Sequence, residues 1–421
     1  MTLDAPARPG VNLPDTVRDQ LAGLGPREVV IGLLTYNNAR TVGTVVEAAR
    51  LGLEKHVPGV PAAIVHGDAG SSDSTVDLVV AAPLPVVGFR HHAAPSERSA
   101  VPLGGVPGRE EGLRLAFGVA RTLSARVLVL LEADVTSITH EWIDRLVRPV
   151  LDGGGDLVLP VHDRHRYDGT VTTLILAPLA RALWGRRVHQ PLGGPRALSA
   201  RLLEHLLAGP VWPTSPHLGD FWILGAATAR GFALSEARLG PRRVASQTRP
   251  GDLPTVLAQS LGGLFTVMDR WESLWLDVRG SEPVPVAGEA APPDTPPPAV
   301  AVDRMLVAFR RGVRDLTTIW EHILAPETLA EVLGLDTGGP EDFRFPDDLW
   351  ARVVYEFALG HRFRVVHREH LLRSLVPLYL GRAAAFVAAT RAGSDAAVAA
   401  ARERVGASFE RRKPYLVERW P

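Results

Sequence analysis

Short apolar runs, each ending on polar or acidic residues, recur through the N-terminal part of the chain. A run without alternation reads as a strand covered on both faces, as in a parallel sheet. The pattern predicts strands over Val29–Leu34, Pro61–Val65, Val86–Phe89, Val127–Leu131 and Leu157–Val161. Between them lie stretches with helical spacing. Thr41–Leu51 places Val42, Val45, Val46 and Ala49 on one face, Ser72 or Asp73 caps a helix running to about Ala81, and Arg109–Leu123 forms another. This alternation predicts an α/β fold with a mostly parallel sheet. Residues 171–208 read as helix, turn, helix, with Gln190-Pro-Leu-Gly-Gly194 as the turn. Pro283–Pro298 is proline-rich and reads as a linker or an extended loop. From Asp303 onward the spacing is helical and amphipathic. The expected division is a lead-in over 1–26 with one short helix, an α/β domain over 27–280, a linker over 281–300 and an α-helical domain over 301–421.

Charge narrows the choice of partners. Lys plus Arg and Asp plus Glu both total 46 in 421 residues. No field for nucleic acid and no basic membrane patch is expected. The absence of cysteine excludes disulfides, thiolate metal sites and cysteine nucleophiles, and it fits a cytoplasmic protein. Met1 to Gly10 lacks the apolar core of a secretory signal. Val171–Trp184, the most apolar candidate for a membrane span, is short and broken by Pro178 and Arg181, so no span is expected.

The candidate chemistry clusters where strands end. Arg126-Val-Leu-Val-Leu-Leu-Glu-Ala-Asp134 climbs to two carboxylates, Glu132 and Asp134. Ligands in open α/β sheets bind outside the carboxyl ends of strands, and acids there can hold a hard cation that in turn holds a diphosphate. The competing reading is a surface turn. Asp68, in Gly67-Asp68-Ala-Gly-Ser-Ser-Asp73-Ser-Thr75, can accept from a nucleoside's hydroxyls or base, whereas Asp73 reads first as a turn and cap residue. Arg109 opens a helix, where phosphate is welcome, or is simply solvated. The glycines after Gln190 and Leu192 allow close backbone approach to a ligand or serve a plain connection, and His189 beside them reads as an ordinary polar residue. Arg164 and Arg166 could grip a small carboxylate bidentately, and Thr172 could add a hydroxyl if it opens the next helix. Asp220, in His217-Leu-Gly-Asp220-Phe-Trp222, is either a helix-entry acid or faces a sugar hydroxyl. Walker A, H-E-x-x-H and ordered Ser-His-Asp patterns are absent, as is Gly-x-Gly-x-x-Gly in the first strand-to-helix turn.

The order of these segments resembles a family. Thr35-Tyr-Asn, Gly-Asp68-Ala-Gly-Ser-Ser-Asp, Pro-Gly-Arg109, Glu-Ala-Asp134, Gln190-Pro-Leu-Gly-Gly and Gly-Asp220 look like the retaining GT-A glycosyltransferases that make mannosylglycerate, glucosylglycerate and glucosyl-3-phosphoglycerate. The likeness covers roughly residues 27–280. Leu349-Trp-Ala-Arg-Val-Val-Tyr355, Leu375-Val-Pro-Leu-Tyr-Leu-Gly-Arg382 and Lys413-Pro-Tyr-Leu-Val-Glu-Arg-Trp420 look like the helical ending of some members. The resemblance implies a GT-A fold, a Rossmann-like nucleotide-diphospho-sugar transferase domain, with an α-helical C-terminal domain. It implies a nucleoside diphosphate sugar donor bound by Thr35, Tyr36, Asn37, Asp68, Arg109, Glu132, Gln190 and Gly193. Asp68 would contact the nucleoside and Arg109 would lie near the diphosphate. Asp134 with Glu132 would hold Mg²⁺ or Mn²⁺, and Leu192 would shape the transfer site. Asp220 would face the donor sugar. Arg164 and Thr172 would grip the carboxylate of a small hydroxy-acid acceptor such as glycerate. The product would be a compatible solute of the glucosylglycerate or mannosylglycerate type, and the C-terminal helices would offer a homodimer interface.

Two departures stand out. Glu132 occupies a position where the family has Asp. The family also places a metal-binding His after a late Leu-Gly pair, whereas Leu239-Gly-Pro-Arg-Arg-Val-Ala-Ser-Gln-Thr248 has none, with Val244 or a neighbour in that slot. Water could replace the lost ligand, Arg242 and Arg243 could neutralise the diphosphate so that the metal is dispensable, or catalysis could be lost. A catalytically degenerate GT-A module that binds nucleotide sugars is therefore the second expectation. A sugar-nucleotide pyrophosphorylase ranks third, because its glycine-rich, arginine-containing loop after the first strand is missing.

Overall fold

The computed structural model describes residues 11–94, 105–209, 212–213, 218–245, 252–290, 300–335 and 342–421. His217, the segment 246–248, residues 1–10 of the lead-in and residues 291–299 of the proline-rich stretch lie outside the described residues. The chain divides into two compact units. The first comprises Met1–Asp163, Gly193–Gln247 and Pro285–Ala291, and the second Arg164–Leu192, Thr248–Val284 and Pro292–Pro421.

The first unit is α/β. Its strands are β1 (Val29–Thr35), β2 (Ala62–Asp68), β3 (Val86–Arg90), β4 (Val127–Glu132) and β5 (Leu157–His162), and later in the chain β7 (Arg196–Ser199), β8 (Leu234–Gly240) and β10 (Val286–Ala287). Two-residue strands β6 (Arg186–Arg187) and β9 (Glu282–Pro283) pair with each other in the second unit. Among the described residues the main sheet has eight strands in the order β10-β8-β5-β7-β4-β1-β2-β3. All neighbours run parallel except β7, which is antiparallel to both β4 and β5. The expected mostly parallel sheet is therefore present.

Burial explains the apolar runs. Every residue of β1 is buried. Val29, Ile31 and Leu33 join a core with α2 (Val42–His56) and α5 (Glu141–Leu151), while Leu34 approaches Gly112 of α4 (Arg109–Thr122) on the opposite face. Trp142, Ile143, Leu146, Val147 and Val150 give α5 its buried stripe, with Glu141, Asp144 and Arg148 off it. Helices α1 (Asp15–Ala22) and α3 (Thr75–Val80) are short. Neither Ser72 nor Asp73 is the N-cap of α3. Ser74 is, and it makes no side-chain cap bond; Asp73 beside it accepts from Thr75 N at 3.1 Å and Ala39 N at 3.1 Å.

The helix-turn-helix reading of residues 171–208 needs correction. A π-helical turn (Thr172–Leu176) leads into α6 (Ala177–Trp184), but β7 precedes α7 (Ala200–Leu207). The Arg196-Ala-Leu-Ser199 run is short and begins on a charge, so its period carries no strand signal, and partners on both sides supply the stability instead. Two further elements close the first unit's chain passes, namely α8 (Leu218–Ala229) and the edge strand β10, which lies inside the proline-rich stretch.

The second unit is helical. It contains α6, α9 (Leu253–Arg270), α10 (Val302–Trp320), α11 (Pro326–Gly334), α12 (Asp347–Phe363), α13 (Arg368–Thr390) and α14 (Asp395–Arg419). The expected helical C-terminal region is present. It is tied to earlier segments of its own unit: Trp350 Nε1 donates to Leu174 O at 2.7 Å, and Lys413 Nζ to Trp275 O at 2.6 Å and Val278 O at 2.7 Å. Arg181 of α6 pairs with Glu403 and Glu410 of α14, each at 2.8 Å. One helix exceeds the sequence expectation. α13 is long and apolar enough to cross a bilayer, although Arg373, Pro377 and Arg382 interrupt its sequence, and 72% of its apolar window is buried in the protein.

Candidate active site

Parallel strands deliver their carboxyl ends to one edge of the first unit's sheet. There β1 ends on Thr35, β2 on Asp68 and β4 on Glu132. Antiparallel β7 starts at that edge, since Arg196 registers with Leu130. The strand-end loops after β1 and β2 are laced together. Asn37, held at φ +54°, donates its N–H to Ser71 Oγ at 2.9 Å and accepts from Ser72 N at 2.9 Å. Tyr36 N donates to Asn38 Oδ1 at 2.8 Å. Asp68 is buried and accepts from Thr35 Oγ1 (2.9 Å), Ser71 Oγ (2.6 Å), Gly70 N (2.9 Å) and Ser71 N (2.8 Å). A carboxylate has about four acceptor positions, so Asp68 spends them on Thr35 of β1 and on its own loop. Burial works against its charge, but these donors prevail and hold the carboxyl below its ordinary range. His66 Nε2 meets Thr35 Oγ1 at 2.8 Å, and burial pushes that imidazole down to about 4.

Asp220 organises the centre. It lies in the first turn of α8, 1% exposed. Its Oδ1 accepts from Arg109 Nη2 at 3.0 Å and lies 3.0 Å from Arg196 Nη1, while Oδ2 accepts from Gly193 N at 3.2 Å. Arg109 opens α4 behind Gly108, whose φ of +63° and closeness to His92 O exclude a side chain. Arg196 Nη2 donates to Gly193 O at 2.7 Å. Burial disfavours the charge on both arginines. Asp220 and Glu110 outweigh it at Arg109, which is raised, but not at Arg196, which is lowered. Arg109 Nη1 and Arg196 Nε are buried without a hydrogen-bond partner among the described residues.

Glu132 faces a different cation. Arg242 Nε donates to Oε2 at 3.0 Å and Nη2 to Oε1 at 2.9 Å, a two-pronged contact, and Gly194 N adds a bond to Oε1 at 3.2 Å. Gly194 has φ +83°, and a Cβ there would sit 2.7 Å from Pro160. Burial would raise the Glu132 carboxyl, but Arg242 holds it below its ordinary range. The segment after β8 is pinned over the Glu-Ala-Asp segment. Thr136 N donates to Arg243 O at 2.9 Å, Ala245 N to Asp134 O at 2.9 Å, and Val135 bridges Val244. That pairing brings Arg242 to Glu132. Val244 is spent on the bridge.

These residues do not fit the expected divalent cation. Glu132 is already engaged by a guanidinium fork, and the described residues contain no group of three or more His, Asp or Glu able to hold a metal.

The remaining sequence candidates belong to the second unit. Thr172 is the first residue of the π-helical turn, but Thr170 and Val171 before it are already helical, so it does not open the helix. With the Gln190 amide oxygen turned toward Arg164, it accepts from Arg164 Nη2 at 2.9 Å and Nε at 3.1 Å. Leu192 is half-buried at the end of that segment. Arg166 is engaged with Gly393 O at 2.7 Å and Asp395 Oδ1 at 2.6 Å. Sequence reasoning missed Arg196. Its signal was a charge directly after Gly-Gly-Pro, obscured by the helical reading of that stretch.

No family model matches the sequence, and no curated protein does. Solved structures do resemble it. One is glucosyl-3-phosphoglycerate synthase from Mycobacterium tuberculosis in complex with Mn²⁺, UDP and phosphoglyceric acid, 26% identical over 63% of this chain and 87% of that one, with a TM-score of 0.45. The same enzyme with Mn²⁺, UDP and glucosyl-3-phosphoglycerate is 24% identical over 69% and 97%, also at 0.45. At that depth of superposition the chemistry of this chain rests on its own residues.

Proposed function

We propose that the protein is a hexosyltransferase of the GT-A class. It moves glucose or mannose from a nucleoside diphosphate sugar to a small hydroxy-acid of the glycerate type, with retention. The observation that carries this reading is the pair formed by half-buried Arg109 and buried Arg196, gathered on Asp220 at the carboxyl edge of the sheet with hydrogen-bond capacity left over. Paired guanidinium groups at such an edge suit an anionic ligand, and a diphosphate matches their charge and geometry. The sequence likeness supplies the sugar and the acceptor class.

In this reading Arg109 and Arg196 stabilise charge on the departing diphosphate, which is where electrostatic catalysis would act. Asp220 is a positioning residue that sets both arginines and the Gly193 turn. The anomeric carbon's bond to phosphate oxygen breaks while a bond to the acceptor oxygen forms on the same face. The acceptor's hydroxyl proton passes to the leaving diphosphate, so no protein base is required. The Asp68 loop positions the nucleoside, and Asp134 borders the transferred sugar. A second reading, a non-catalytic nucleotide-sugar-binding module, draws on the occupied state of Glu132.

Turnover separates them. Nucleoside-diphosphate release from UDP-, GDP- and ADP-linked glucose and mannose is measured with and without D-glycerate or 3-phosphoglycerate. Acceptor-stimulated release from one donor is expected. Saturable nucleotide binding without release from any donor would select the binding module.

A further inference from the structure

We infer that Arg242 does the work of the divalent cation, so that this protein binds its diphosphate ligand without metal. The inference rests on the donor-binding reading above and goes beyond it by assigning to one side chain the share of charge compensation that a cation would otherwise supply beside Arg109 and Arg196.

Three observations combine. First, the Arg242 fork takes both oxygens of Glu132, at 3.0 and 2.9 Å. A magnesium-type ion needs near-octahedral oxygen ligation and deprotonated carboxylates open to it. Seating one on Glu132 would mean displacing a charge-assisted, two-bond contact. Second, the fork is fixed by backbone. Ser137 Oγ donates to Pro241 O at 2.9 Å, Arg243 N donates to Ser137 Oγ at 2.9 Å, and Thr136 N donates to Arg243 O. Arg242 is thus flanked on both sides by bonds to the segment that follows Glu132. Gly194 N braces the carboxylate from β7's entry turn. Third, the cluster is balanced sign for sign. Arg109 and Arg196 stand against Asp220 and Glu110, Arg242 against Glu132, and Arg243 lies in the segment paired to that of Asp134. A pair of acids calls for a dication when nothing else compensates them, and here one acid is compensated permanently. A guanidinium stays charged at all working pH values and presents donors in a planar fork suited to phosphate as well as carboxylate.

The test is calorimetric and uses the full chain. UDP, GDP and ADP are titrated into wild type, Arg242→Gln and Arg242→His, each in EDTA and again with Mn²⁺. Mn²⁺ binding alone is followed by electron paramagnetic resonance. The expected result is that wild type binds one nucleotide in EDTA, with an affinity that Mn²⁺ changes by less than about twofold. Arg242→Gln should weaken that binding by about tenfold or more, roughly the loss of one charged contact. Arg242→His, which adds an imidazole beside Glu132 and releases the carboxylate, should bind Mn²⁺ and regain nucleotide affinity only with it. Wild-type binding that appears only with Mn²⁺ would overturn the inference and leave the donor reading standing. No binding of any nucleotide under either condition would overturn both. The wild-type comparison decides metal dependence even if a variant fails to fold, and unchanged nucleotide binding by a folded Arg242→Gln would overturn the assignment to Arg242.

Discussion

Asp220 carries more of the candidate site than any other single residue. Removing its carboxylate leaves Arg196, 1% exposed, and Arg109 without their shared counter-charge. Breaking a buried ion pair from one side costs about 3–5 kcal/mol. Asp220→Ala should therefore lower the unfolding free energy by about that amount in urea titration, and a loss below about 1 kcal/mol would show that the arginines are held by other means. His66 makes a second prediction at this scale. Burial holds its folded pKa at about 4 against an ordinary value of 6.5, so the unfolded chain binds the extra proton first as pH falls. This contribution is complete above about pH 6.5 and is lost as pH falls toward 4, by up to about 3 kcal/mol. Urea titrations at pH 7, 5.5 and 4.5 should show that slope in wild type and a shallower one in His66→Asn. Equal slopes would place the acid sensitivity elsewhere, for example at His361, whose pKa is also pushed down to about 4 by burial. Among residues, the strand-end polar positions Thr35, Asp68, Glu132 and Asp220 were legible because each ends an apolar run or opens a small-residue helix. The partners were harder to see. That Arg242 meets Glu132 and Arg196 meets Asp220 depends on pairings far apart in the chain, which no local pattern encodes.

At the scale of elements, packing between helices sets what the sequence tolerates. Gly52 of α2 faces α5 so closely that a Cβ would meet Ile143 Cβ at 2.5 Å and His140 O at 2.7 Å. Alanine gains up to about 1 kcal/mol of helix propensity over glycine. Overpacking typically costs about 1–3 kcal/mol, and a backbone oxygen cannot rotate away as a side chain can, so overpacking should win. Gly52→Ala should lower the unfolding free energy by about 1–2 kcal/mol net. An unchanged or raised midpoint in urea would mean that α2 and α5 separate without cost. The strands β1 and β5, fully buried, and β2 and β4, buried at all but one end residue, were readable because parallel strands covered on both faces write continuous apolar runs. β7 and β8 were not. Arg196 and Glu236 are buried charges inside them, and a strand that accommodates a charge through tertiary partners carries no local apolar signature.

At the scale of the whole molecule, the helical unit is assembled from three stretches of chain rather than one. Trp350, Lys413 and Arg181 join α12, α14 and α6, and Trp275 packs edge-on against Trp420 at 4.8 Å between ring centroids. A fragment of residues 301–421 lacks those earlier partners. It should show low thermal cooperativity and exposed apolar surface by dye binding, whereas a cooperative, dye-silent fragment would establish an autonomous C-terminal domain. Helical period predicted the helices but not their partners, because amphipathic spacing says that a face is covered without saying by which segment.

Transfer itself is the central claim, and product analysis tests it most directly. The full chain is incubated with each nucleotide sugar and D-glycerate, and the products are examined by mass spectrometry and proton nuclear magnetic resonance. The account predicts one hexosyl-glycerate species whose anomeric configuration matches that of the donor. Free hexose with glycerate unchanged, or a hexosyl-glycerate of inverted configuration, would contradict it.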